Sequence, residues 1–199
     1  GGLSGLKLYG MVGLPSEEEA DVEATAELLL NLKKATPGLR LSLGVSTFVP
    51  KAHTPFQWQG VRPEAEKRLK LLAKRLKPKG IELRPESYGW SVIQALLSRS
   101  DRRLAPVIAA ARGSHENLGG WKKAYRQVLS EGGAATAPSG PEPSHTAGTQ
   151  PAPPAWEEVI HTSWSDERVL PWRHLQGAVS PQVLAGHAAS SLKLTAVQR

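Results

Sequence analysis

Side chains able to do chemistry gather in one short stretch, Ser46-Thr-Phe-Val-Pro-Lys-Ala-His-Thr-Pro-Phe-Gln-Trp58. His53 has the richest company of the histidines, with Lys51, Gln57 and Trp58 within five residues. A histidine so placed can act as general acid or base, or can hold a substrate. His161 and His174 stand beside tryptophans further on, and Glu17, Glu18 and Glu19 form a run of carboxylates. That run opens a helical pattern, which assigns it to capping and to the positive end of the helix dipole. The chain has no cysteine, which excludes disulfides, thiolate nucleophiles and thiolate metal sites. Glycine-rich phosphate loops, dinucleotide fingerprints, His-Glu-x-x-His and Gly-x-Ser-x-Gly are absent as well.

The candidate loop is delivered by a strand. Leu39, Leu41, Leu43 and Val45 alternate with Arg40, Ser42, Gly44 and Ser46, the period of two that marks a half-buried strand. The small, polar face would point into a binding site, with the loop at the strand's C-terminal end; an ordinary edge strand with one wet face gives the same alternation. Ahead of it, Leu6 to Val12 forms a strand with Leu6, Leu8, Gly10 and Val12 on one side. Gly13-Leu14-Pro15 leaves that strand, and Ser16 with Glu19 predicts a capping box for a helix carrying Val22, Ala26, Leu29 and Leu32. Pro37-Gly38 stops this helix. Pro63 opens a second one, striped by Ala65, Leu69, Leu72 and Leu76, and Ile81 to Arg84 is a third strand. Strand, helix, strand, helix, strand predicts an α/β architecture of βαβ units on a parallel sheet. Three strands cannot close a barrel or bury both faces, so strand partners are expected in a preceding part of a longer protein.

From Ser87 the pattern is helical, with Trp90, Ile93, Leu96 and Leu97 predicted on one face, a helix over Leu104 to Ala111, and another after Gly119-Gly120. Residues 131–155 contain only Gly, Ala, Pro, Ser, Thr, Glu, His and Gln, His145 among them, and are expected to be a disordered linker. Trp156, Trp164 and Trp172 follow and predict a small segment that docks back on the body, ending in a weakly amphipathic helix from Pro181 to Leu194. The organisation expected is therefore 1–86, strand–helix units; 87–130, a helical extension; 131–155, a linker; and 156–199, a docking segment.

Between Arg62 and Arg103 there are twelve Lys and Arg against five Asp and Glu, an excess equal to the chain's whole formal charge of +7. Such a surface suits RNA or an acidic protein partner, and equally suits a solvated helix face. No aromatic residue interleaves these charges from Arg62 to Arg84, so a base-stacking platform is not indicated. No apolar run reaches the roughly 18–20 residues of a membrane span, and the cytoplasm is the default compartment.

Two of these stretches resemble a known family. Tyr9-Gly-Met-Val-Gly-Leu-Pro-Ser-Glu-Glu-Glu-Ala-Asp21 is similar to the late-barrel signature of radical S-adenosylmethionine proteins, and Val45 to Trp58 to the next strand and loop of the subgroup carrying a cobalamin-binding-type domain. Ile93 to Val107 and Val169 to Leu175 resemble that subgroup's C-terminal extension. The resemblance implies the C-terminal part of a partial (β/α)6 barrel plus a helical extension, with parallel strands. It implies a parent enzyme that uses S-adenosylmethionine and a [4Fe-4S] cluster to make a 5′-deoxyadenosyl radical, with cobalamin a possible further cofactor. The cluster's Cys-x-x-x-Cys-x-x-Cys loop would lie in the missing N-terminal half, so this chain alone would be inactive and would ligate no metal. Gly10, Met11, Val12 and Gly13 match the segment lying against the adenine, although Tyr9 stands where the family often has glycine. Ser46, Lys51, His53, Gln57 and Trp58 match the region facing substrate.

Overall fold

A computed structural model describes residues 2–113, 117–134 and 152–197. Strands β1 (Gly5–Val12), β2 (Arg40–Thr47) and β3 (Glu82–Pro85) form a parallel sheet in the order β1-β2-β3. Helices α1 (Glu19–Ala35) and α2 (Glu64–Leu76) are the crossovers, so the architecture is α/β with a small open sheet. In the register Leu8 pairs with Leu43, and Gly10 with Val45. Leu41, Leu43 and Val45 are buried against Val22, Ala26 and Leu29 of α1 and Leu69, Leu72 and Leu76 of α2. Burial of each Leu or Val in this one-sided layer contributes about 1.5–3 kcal/mol.

The exit from β1 is held by a buried ion pair. Arg68 of α2 donates to Glu17 Oε2 at 2.6 Å and to Glu17 O at 2.7 Å, and the same carboxylate accepts the Gly13 N–H at 2.6 Å. Gly13 has φ +82°, and a Cβ there would sit 2.9 Å from Ala65 Cβ, so the turn needs glycine on both counts. With Glu17 drawn into this cluster, α1 starts later than the sequence predicts. Ser16 is not its N-cap: it adopts φ +64°, Glu18 takes the cap position, and Glu18 N donates to Asp21 Oδ2 at 2.8 Å.

After β3 come α3 (Tyr88–Arg99), α4 (Ala105–Ala111) and α5 (Leu118–Ala134). Ser87 caps α3. Its buried face is Val92, Ile93, Ala95, Leu96 and Arg99; of the predicted face Ile93 and Leu96 are buried, while Trp90 and Leu97 are 48% and 45% exposed. A second core joins this face to Val107, Tyr125 and the following segment's Val159 and Ile160. The helix α5 continues through residues 131–134, which correct the predicted start of the linker; residues 135–151, with His145, lie outside the described residues. Helices α6 (Trp156–Ile160) and α7 (Pro181–Val197) complete the chain. Trp164, Trp172, Leu170 and Leu184 pack on Trp58 as a third core. Among the described residues no helix is long and apolar enough to cross a membrane.

Candidate functional site

The sheet has one covered and one uncovered face. Opposite the helices, Lys7, Tyr9 and Met11 of β1 lie beside Ser42, Gly44 and Ser46 of β2 and, beyond these, Glu82 and Arg84 of β3. Tyr9 and Met11 are 77% and 46% exposed, unusual for residues in a parallel sheet, which is ordinarily covered on both faces. Gly44 gives room to the Tyr9 ring: a Cβ there would be 3.2 Å from Tyr9 Cδ1. Lys7 Nζ stands 4.8 Å from the same ring's centroid. Arg84 donates to Glu82 at 2.8 Å and holds that carboxyl below its ordinary range. A hollow on this face is lined by Tyr9, Met11, Gly44, Ser46, Arg84 and Glu86. Among the described residues β1 pairs only with β2 and β3 only with β2, so neither outer edge of the sheet has a strand partner there.

The sequence-predicted residues divide between this face and a second place. Met11 and Ser46 are register partners on the uncovered face. Gly10 pairs with Val45 on the covered side, and Val12 is 3% exposed, its carbonyl accepting from Phe48 N at 2.8 Å. Gly13 is committed to the turn described above.

His53, Gln57 and Trp58 instead line a cavity of about 490 Å³ between the β2–α2 loop and the C-terminal segment, opposite Trp172, Arg173 and Ser180. Lys51 is exposed and outside that wall. Gln57 is 2% exposed because Trp172 Nε1 donates to its Oε1 at 2.8 Å and His53 N donates to the same oxygen at 3.1 Å. His53 has φ +58° and packs on Gly177, where a Cβ would lie 2.6 Å from its Nδ1.

The docking of the C-terminal segment rests on main-chain pairing. Val61 N donates to Ile160 O at 2.8 Å, and Trp164 N to Trp58 O at 2.7 Å. His161 Nδ1 lies 2.7 Å from Val61 O, which gives that histidine a structural partner; His174 is exposed beside Arg102 and Pro171. Arg99 reads in sequence as an ordinary surface cation, and only its hydrogen bonds to Val159, Ile160 and Thr162 set it apart.

Much of the basic run is engaged locally. Arg62 pairs with Glu64, Lys70 with Glu66, Arg75 with Glu23, Arg84 with Glu82 and Arg103 with Asp101. Lys74, Lys77 and Lys79 remain exposed, and Lys79 lines a hollow together with Lys33 and Lys34.

A protein of Methanocaldococcus jannaschii described as uncharacterized is 30% identical over 122 residues, which are 61% of this chain and 27% of that protein. The chain thus matches little more than a quarter of that relative's length. No protein-family model matches the chain, and no solved structure does.

Proposed function

We propose that this chain is the closing part of a radical S-adenosylmethionine barrel of the cobalamin-binding subgroup, and that the uncovered sheet face lines the interior of that barrel. The single observation that carries this reading is the one-sided sheet: parallel strands without strand partners on either edge among the described residues, and a face without helices on which Ser42, Gly44 and Ser46 lie beside Lys7, Tyr9 and Met11. A complete (β/α)6 barrel closes such edges with further strands. The motifs from Tyr9 to Asp21 and from Val45 to Trp58 supply the family.

The iron–sulfur cluster does not fit the residues of this chain. It has no thiolate, and among the described residues no three His, Asp or Glu are grouped to hold a metal ion. Its ligands belong to the strands that complete the barrel. Toward S-adenosylmethionine this chain offers the main chain of Gly10 and Met11 at the open end of β1, with Ser46 alongside. Cobalamin rests on the resemblance alone. The coding sequence ahead of Gly1 tests the reading: a three-cysteine loop following a strand is expected, and a reading frame without one overturns it.

A second reading, a surface for RNA or an acidic protein, is favoured by the exposed lysines at 34, 74, 77 and 79. Binding to single-stranded RNA that weakens steeply with salt and is lost on changing these lysines to glutamine would support it.

A further inference from the structure

We infer that the outer edge of β1 receives a strand–helix unit from the polypeptide ahead of Gly1, while the outer edge of β3 receives none. The incoming strand runs parallel to β1, and its helix packs on the flank of α1. The inference deepens the barrel reading and rests on it only for the longer chain; it needs neither a cluster nor S-adenosylmethionine.

The two edges differ in what their main chains offer. Val12 O accepts from Phe48 N and Ser4 O from Arg40 N, so the even-numbered residues of β1 turn their main-chain groups toward β2. Alternation turns those of Gly5, Lys7, Tyr9 and Met11 outward, a row of donors and acceptors along the whole strand. On β3, Glu86 N donates to Val45 O, which turns Glu82 and Arg84 inward and Leu83 and Pro85 outward. Pro85 has no N–H, and Ile81 N is taken by Leu76 O at 3.3 Å, so within residues 81–85 Leu83 alone supplies an outward donor. Proline in an outward position is the mark of a terminal strand.

The covered layer is also unfinished on the β1 side. Gly10 brings no side chain to it, and a hollow of about 250 Å³ opens there, lined by Val22, Thr25, Leu43 and Val45. A Cβ at Gly10 would meet only Leu43 Cδ1, at 3.6 Å. Helix α1 faces α2 through Glu23 and Glu27, both paired with Arg75. At about 3.6 residues per turn, Thr25, Leu28 and Leu32 fall on the opposite flank, and Leu28 is 64% exposed. A right-handed crossover into β1 brings the preceding helix to that flank, where its apolar side chains would cover Leu28 and fill the hollow. Strand pairing over Gly5 to Tyr9 leaves the Met11 main chain for the S-adenosylmethionine contact proposed above. The relative described above has most of its length outside the match, ample for such a unit.

Amide hydrogen exchange of the full-length protein, resolved to single residues, provides the test. The Lys7 and Tyr9 amides should exchange at least about 100-fold more slowly than the Leu83 amide at the other edge. Leu28→Glu should lower the melting temperature of the full-length protein by about 2 °C or more and leave that of the 199-residue chain unchanged. Lys7 and Tyr9 amides as fast as Leu83, a Leu83 amide as slow as theirs, or a Leu28→Glu effect equal in the two proteins overturns the inference. Protection that is lost on tenfold dilution assigns the β1 edge to a second copy and overturns it too. A cluster-free protein with slow Lys7 and Tyr9 amides sinks the barrel chemistry and keeps this inference, and a cluster-loaded protein with fast ones does the reverse.

Discussion

The guanidinium of Arg99 lies 3.8 Å from the centroid of the Trp164 ring, joining the last turn of α3 to a residue 65 positions later. Arg99 is 1% exposed and has no carboxylate partner among the described residues. It donates instead to Val159 O at 2.5 Å, Ile160 O at 3.1 Å and Thr162 O at 2.9 Å, carbonyls at and just past the end of α6. Burial, with Arg168 on the same ring, pulls Arg99 down to about 10, so it remains a cation at neutral pH. Arg99 thus adds three side-chain hydrogen bonds to the main-chain pairing that holds this segment on the body.

Arg99→Met should therefore cost about 3 kcal/mol or more, because the carbonyls of Val159 and Thr162 lose their donor inside a dry contact. Arg99→Lys keeps the charge without the planar fork and should cost less. Urea unfolding gives both values, and limited proteolysis near Thr162 should speed up in the same order.

Gly60→Ala tests the same docking from the other side. A Cβ at Gly60 would overlap the carbonyl group of His161, which is main chain and cannot swing away. The expected loss is about 1–3 kcal/mol, accompanied by altered fluorescence of the Trp58–Trp164–Trp172 core.

The buried Glu17–Arg68 pair makes a third prediction. Glu17→Gln removes the charge facing Arg68, whose side chain is 8% exposed, and should destabilise the chain by about 3 kcal/mol. Adding Arg68→Met to that variant should recover part of the loss, which a double-mutant cycle measures.

How much of this was legible in the sequence depended on the range of the forces involved. The alternation in Leu41, Leu43 and Val45 marks the covered face of β2 because a strand's period is set by its own backbone. Likewise, three tryptophans after a polar stretch indicated a docking segment. The start of α1 was misplaced because Glu17 is drawn to Arg68, 51 residues away, leaving the cap to Glu18. Ile93 and Leu96 mark the buried face of α3 in the sequence, but Arg99 on the same face does not show, because a cation does not register in a hydropathy stripe. Gln57 looked like a substrate contact, yet its burial is set by Trp172, 115 residues later.

Tyr88 links stability to alkaline pH. Burial first, then the nearby charges of Glu66, Glu64 and Glu157, push its hydroxyl up to about 12. The folded chain thus keeps a proton that an unfolded tyrosine loses near about 10. Its contribution is complete below about pH 10 and fades as pH climbs toward 12. Tyr88→Phe should flatten that part of the stability–pH curve, and a phenolate absorbance titration should lose its latest component.

The uncovered face predicts a separation between stability and assembly. Met11→Lys, at an exposed position, should leave the melting temperature of the isolated chain almost unchanged. In the barrel of which this face would be the interior, the same charge is buried, and the longer protein should lose solubility or fail to assemble.

The central claim is that the sheet is the closing portion of a radical S-adenosylmethionine barrel, and it is tested most directly by assaying the full reading frame beside the 199-residue chain. Both are reconstituted anaerobically with iron and sulfide, reduced, and assayed for 5′-deoxyadenosine from S-adenosylmethionine. The account predicts a bound cluster and 5′-deoxyadenosine from the full-length protein, and neither from the 199-residue chain. A full-length protein that binds no cluster and releases no 5′-deoxyadenosine would contradict it.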